Sequence, residues 1–296
     1  MYKAIVTLAI GKKYQERWQA TCKKNWSQYA EKHGYDIICI SEPLDESKRA
    51  ETRSPAWQKC LVLGHEKVKR YHQVVWIDSD VLLNPYAPCI ISQVSEPQKV
   101  GAVEMFSGPL SETFPSTSTK LESLADRSKS FWSWPFRTGK EFYRNVGLSD
   151  DFSEVVQTGV MVLSPKFHRD TLEYAYYKHE HQDGQSFEME CLSYELVKAN
   201  LVNWLDHRFN RLWAECILRD YPFLLPPEPS KNKIIRHGQN YLHRISKLSK
   251  KTLTDCCIST ALINNYFLHF AGTAQFMNSF KPCASSWQQL RGRLQA

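Results

Sequence analysis

Short apolar runs alternate with longer stretches in which apolar and aromatic residues recur at helical spacing. Ala4 to Ala9 is an apolar run of strand length near the start of the chain. From about Tyr14 to Lys32, Trp18, Cys22, Trp26 and Tyr29 recur with the period of a helix, which His33-Gly34 stops. Asp36-Ile37-Ile38-Cys39-Ile40 predicts a second strand. The charged loop Glu42 to Arg53 then leads to a helical segment, Pro55 to Val68, whose proline falls near the first turn, where it is tolerated. Residues 74 to 85 form an apolar strand that ends in Asp78 and Asp80 and leaves through Pro85. Strand, helix, strand, helix, strand is the pattern of an α/β fold with a mostly parallel sheet flanked by helices.

Further along, residues 107 to 135 lose periodicity and carry an aromatic cluster, Phe131-Trp132-Ser133-Trp134-Pro135-Phe136. Its aromatics argue against plain disorder. The cluster is read equally well as a platform for sugar rings or a membrane, or as an anchor pinning a long loop. Gly159 to Leu163 predicts a buried strand closed by Ser164-Pro165. Helical patterns follow over Thr171–His179 and Glu188–Lys198, and Tyr266 to Phe270 forms a last strand. Leu225-Pro226-Pro227-Glu228-Pro229 introduces a basic stretch, Lys231 to Lys251. No internal repeat is visible, and one domain over 1–296 is expected, with variable segments at 107–150 and 226–255.

Composition narrows the classes. At 296 residues and 42% hydrophobic, the chain is long enough for a substantial core. A formal net charge of +7, spread along the chain, weakly favours anionic ligands. The basic stretch is read first as solvated surface and second as a peripheral membrane contact. Nine cysteines, without paired C-x-x-C spacing, argue against a disulfide framework and for a reduced, cytoplasmic compartment. The start of the chain reads as a strand rather than a signal peptide, and no run reaches the roughly 20 apolar residues that span a bilayer.

The chemistry centres on Asp78 and Asp80. In an extended chain, positions i and i+2 share a face, so a strand end carrying both offers hard oxygen ligands to a Mn²⁺ or Mg²⁺ ion. His269 ends another apolar strand and is placed to add a neutral imidazole. Gln157-Thr158-Gly159, before the strand Val160 to Leu163, would set an amide, a hydroxyl and open backbone at a sheet edge. His179 and His181 flank Glu180, but residues two apart do not share a helical face, so a solvated helix end is expected there.

These residues carry a resemblance. Asp78-Ser79-Asp80, Thr158-Gly159-Val160 and His269-Phe270-Ala271-Gly272 resemble the D-x-D, T-G and H-F-x-G signatures of GT-A-fold nucleotide-sugar glycosyltransferases. The nearest groups are the galactosyl- and xylosyltransferases of family 34 and the glycogenin-like enzymes of family 8. The opening strand, Pro55 to Lys59 and Leu205-Asp206-His207-Arg208-Phe209-Asn210 also resemble members of this class. In eukaryotic relatives a membrane anchor often lies upstream, so a chain starting in the first strand is read as a form without one.

The resemblance implies roles residue by residue. Asp80 and His269 would ligate the ion, and Asp78 would hold it through water or hold the donor's ribose, with Ser79 between them. Thr7 and Ala9 would line the nucleotide site, while Lys59, Gly272 and Lys281 would approach the diphosphate or sugar. Gln157, Thr158 and Gly159 would flank the transferred sugar. Where such families often carry an acidic pair beside donor and acceptor, this chain has Gln185-Ser186-Phe187-Glu188-Met189-Glu190, which leaves Glu188 and Glu190 as alternatives. The implied reaction moves a sugar from a nucleotide-sugar donor, most simply a UDP-sugar, to a glycan or lipid-linked glycan, with no nucleic-acid partner. Retention of stereochemistry would need no side-chain base; inversion would make Glu188 or Glu190 the base. A two-metal phosphoryl-transfer enzyme would need further carboxylates near Asp78 and Asp80. A non-catalytic nucleotide-sugar-binding module would bind donor without transfer.

Overall fold

A computed structural model describes residues 2–106, 138–180, 187–224, 247–278, 280 and 281. The aromatic cluster, His181, Gln185 and most of the basic stretch lie outside the described residues.

Six strands form the main sheet in the order β2-β1-β3-β6-β5-β7: β1 Lys3–Leu8, β2 Asp36–Ile40, β3 Gln73–Ile77, β5 Val100–Glu104, β6 Val156–Leu163 and β7 Val202–Trp204. β1 pairs in parallel with β2 and β3, and β5 with β7, whereas β6 runs antiparallel to both of its neighbours, β3 and β5. The sheet is therefore mixed, with parallel pairings in the majority. A second sheet, ordered β4-β9-β8, is built from Val81–Leu83, Phe267–His269 and Arg211–Leu212.

Period-two alternation divides the core between the two faces of the main sheet. Ile5, Val75, Ile77, Val160 and Val162 face one cluster, shared with Trp26, Tyr29, Trp213, Phe267 and Phe270. Ala4, Val6, Val74, Trp76, Met161 and Leu163 face the other, against Trp57, Leu63, Leu172, Tyr176 and Leu192. The second face is covered by the helices Pro165–Lys178 and Met189–Lys198 and by Pro55–Gly64, which winds as a 3-10 helix with Ser54 as its N-cap. The first helical stretch runs from Lys12 to His33, with a π-helical turn at Trp18–Cys22, and ends on Gly34 in the left-handed conformation.

Two local expectations change. Gln157-Thr158-Gly159 does not precede its strand at a sheet edge; it lies inside β6, flanked by β3 and β5. His179 is buried rather than solvated, its Nε2 2.8 Å from Glu195 Oε1, while exposed Glu180 pairs with Arg49. No helix among the described residues is long and apolar enough to cross a membrane.

Candidate metal and donor site

The two sheets meet at the aspartates. β3 ends at Ile77, so Asp78, Ser79 and Asp80 form the turn leading into β4 rather than the end of an extended strand. That turn is fixed from both sides: Asp78 N–H donates to the Gly159 carbonyl in β6 at 2.9 Å, and Phe270 N–H donates to the Asp80 carbonyl at 2.9 Å. The first helical stretch holds it from below. Cys22 Sγ donates to the Ser79 carbonyl at 3.3 Å and Trp26 Nε1 to the Val81 carbonyl at 2.8 Å, while Asn25 exchanges two bonds with Leu83.

The turn aims both carboxylates at His269. Ligating atoms of Asp78, Asp80 and His269 all lie within 4.8 Å of one another, and among the described residues this is the one such group of three. His269 Nε2 is 3.2 Å from Asp80 Oδ1 and 3.9 Å from Asp78 Oδ2. Burial works against charge on His269, but Asp80 and Asp78 together outweigh it and raise the imidazole pKa. Burial likewise opposes charge on Asp80, but His269 and Lys59 together outweigh it, so that carboxyl is lowered. A divalent cation fits this donor set: two hard oxygens and one imidazole, with carboxylates about a quarter exposed toward the cavity.

Gly159 makes room for the imidazole. A Cβ there would stand 2.3 Å from His269 Cε1 and 2.7 Å from Nδ1, closer than any side chain tolerates. The pairing of β5 with β6 jumps at the same place, from Ala102–Met161 to Val103–Gln157. Such a bulge re-aims the strand beside the site.

Lys59 forms the second charged centre. Its Nζ lies 2.7 Å from Glu188 Oε1 and 3.1 Å from Asp78 Oδ1, within almost complete burial. Burial disfavours the ammonium, but Asp78 and Glu188 outweigh it and raise the lysine pKa, so Lys59 stays charged. Glu188 also accepts from Thr158 Oγ1 at 2.8 Å, and Trp76 Nε1 donates to Asp78 Oδ1 at 2.9 Å.

These groups open onto a cavity of about 660 Å³. Lys59, Asp78, Ser79, Asp80, Gln157, Thr158, Gly159, Glu188, His269 and Gly272 line it. Thr7 and Ala9 do not; their neighbours Leu8 and Ile10 do, because alternation along β1 sends Ala9 into the opposite core with Ile5. Glu190, two residues beyond Glu188, is fully buried and lies outside the lining, as the roughly 100° step of a helix requires. Lys281 is exposed and also outside it.

Sequence reasoning gave no site role to Tyr14 and Arg17 on the first helical stretch, or to Phe187, all of which line the cavity. Phe187 has a positive φ of 57° and an exposed ring. It also gave none to Asn210, buried behind His269. Asn210 closes the segment Leu205 to Asn210 that carries part of the resemblance and Phe187 stands beside Glu188, but no spacing singles either out; for Tyr14 and Arg17, spacing three apart on one helix face is the available signal.

No protein-family model matches the chain, and no curated protein matches its sequence. Among solved structures, the WbbM bifunctional glycosyltransferase superposes at a TM-score of 0.51 and 12% identity, over 98% of this chain and 51% of that one. A glycosyltransferase involved in glycosylation of the major capsid of PBCV-1 gives 0.48 at 15% identity, over 93% of this chain and 98% of that one. The galactosyltransferase LgtC, in complex with donor and acceptor sugar analogs, gives 0.45 at 11%, over 97% and 99%. At 12% identity, the likeness to WbbM is a likeness of fold.

Proposed function

We propose that this chain is a metal-dependent glycosyltransferase that takes a sugar from a nucleotide-sugar, most simply a UDP-sugar, and passes it to a hydroxyl of a glycan or lipid-linked glycan. The observation that carries the reading is the convergence of Asp78, Asp80 and His269 on one cavity shared with Lys59, Thr158 and Glu188. Mn²⁺ or Mg²⁺ held there would offset the negative charge that grows on a departing diphosphate. The chain's own residues suit the rest of the task. Lys59 keeps a fixed positive charge beside Asp78. Glu188 is held by Lys59 and Thr158, which suits it to orienting rather than to taking a proton. Gln157 Oε1 already accepts from Gly159 N–H at 2.7 Å and from Asn210 Nδ2. The engagement of Glu188, the base that inversion would call on, supports retention of configuration, in which the leaving diphosphate accepts the acceptor's proton.

Among the described residues Asp78, Asp80 and His269 form the one group of three that could hold a metal, and the further cavity carboxylate, Glu188, is paired with Lys59, which favours this reading over two-metal phosphoryl transfer. On the same reading the whole chain, 1–296, acts as one domain in the cytoplasm. Residues 107–150 and 226–255 then serve the acceptor side, the basic stretch meeting a membrane surface where the acceptor is lipid-linked.

Asp80→Ala tests the assignment. Calorimetry should show UDP–Mn²⁺ affinity reduced at least about a hundredfold, as loss of a direct metal ligand implies, with circular dichroism unchanged. Wild-type affinity in that variant removes the metal from the account.

A further inference from the structure

We infer that Asn210 is a positioning residue that fixes which nitrogen of His269 faces the aspartates and ties that imidazole to Gln157 across the junction of the two sheets. The inference rests on the metal-site reading above. Asn210 precedes the two-residue strand β8, whose Leu212 is paired in register with His269 on β9, and it is 4% exposed.

Two backbone groups settle the orientation of the amides. The Gln157 main-chain carbonyl can only accept, so the Asn210 atom 3.3 Å from it is the donor Nδ2. Gly159 N–H can only donate, so the Gln157 atom 2.7 Å from it is the acceptor Oε1, which also receives Asn210 Nδ2. The remaining Asn210 atom, 2.9 Å from His269 Nδ1, is therefore the oxygen. An oxygen there requires a proton on Nδ1. Gln157 Nε2, itself a donor, lies farther from the same nitrogen, at 3.3 Å.

The consequence falls on the other side of the ring. With Nδ1 committed to Asn210, Nε2 is the nitrogen whose lone pair serves a cation, and it is the one that faces Asp80 and Asp78. A neutral imidazole of the other tautomer would turn an N–H toward the cation. Partners of this kind orient metal-bound histidines and hold their tautomer. Asn210 adds a second effect: the same amide grips Gln157 in β6, so displacement of the metal ligand and of this cavity-lining amide are coupled.

The test is Mn²⁺ affinity of the intact chain without nucleotide, read by electron paramagnetic resonance, in wild type, Asn210→Ala and Asn210→Asp. Asn210→Ala removes the acceptor and should weaken Mn²⁺ binding about 10- to 100-fold. Asn210→Asp keeps an oxygen toward Nδ1 but turns its other oxygen toward the Gln157 carbonyl and Oε1, so it should bind Mn²⁺ more weakly than wild type and more tightly than Asn210→Ala. A residue that only filled space would show no such split. Equal affinity in wild type and Asn210→Ala, or equal loss in both variants, overturns the inference and leaves the metal site standing. Absence of Mn²⁺ binding in wild type overturns the metal site and the inference together. A second measurement is independent of how the variants fold: ¹⁵N shifts of the His269 ring in the Mg²⁺-loaded wild type should show Nδ1 protonated and Nε2 without a proton. The reverse tautomer overturns the proposal.

Discussion

Single atoms decide how the site is filled. Gly159 has no Cβ because the His269 ring occupies that space, so Gly159→Ala must displace either the ring or β6. About a tenfold or greater loss of Mn²⁺ affinity is expected, in the range seen when support of a metal ligand is disturbed. Titration calorimetry checks this, and undiminished affinity would mean the ring has room to move. Loss of Lys59 should also cost stability. Lys59→Met leaves Asp78 and Glu188 without their cation, and stripping one partner from a buried pair costs about 3–5 kcal/mol. Urea unfolding measures it, and the double variant Lys59→Met/Glu188→Gln should recover part of the loss; no recovery would show that the pair is not coupled. Asp78, Asp80 and His269 were legible in the sequence because each is a metal-ligating type placed at the end of an apolar run. Leu8 and Ile10, at and just beyond the end of β1, were missed by one position, since a strand's period does not fix its facing. Asn210 lies in a segment that carries part of the resemblance, but its role is not readable from it because its partners, Gln157 and His269, are distant in sequence and meet only through the pairing of β8 with β9.

Elements supply the rigidity the site needs. The edge of β4 away from β9 is satisfied by side chains: Asn25 and Trp26 bond the Leu83 and Val81 groups, and Cys22 reaches the Ser79 carbonyl from the π-helical turn. That turn shifts the helix register, so residues on either side of it do not keep one α-helical face. Asn25→Ala leaves the Leu83 N–H and carbonyl without these partners and should destabilise by about 1–3 kcal/mol. Amide exchange at Leu83 should speed up correspondingly, and unchanged protection would show that Asn25 does not hold the strand. The first strands and helices were legible because their apolar periods are strong and local. Two features were not. β6 begins at Val156, before the apolar run, because buried Gln157 and Thr158 find hydrogen-bond partners that a hydrophobicity pattern does not register. Its antiparallel direction depends on the connection from β5, not on its own residues.

Across the whole molecule, the site lies where the two sheets join. Asp78 leaves the main sheet after β3, Asp80 leads into the small sheet at β4, His269 sits on β9, and Gly159 and Thr158 come from β6. Ligands from separate strands are held at fixed spacing because both sheets share one core through Ile77, Val81, Phe267 and Phe270. Fold class followed from the order of strands and helices, whereas the small sheet, made of strands two or three residues long, carries too little local pattern to announce itself. On the proposed function, this junction binds a nucleoside diphosphate through a divalent ion. The most direct test is the unfolding temperature of the intact chain with UDP, in Mn²⁺ and in EDTA. In Mn²⁺, UDP at about a hundredfold excess over its Kd should add about 2.7 kcal/mol of apparent stability, seen as a rise in Tm that vanishes in EDTA. No rise in Mn²⁺, or an equal rise in EDTA, would contradict the account.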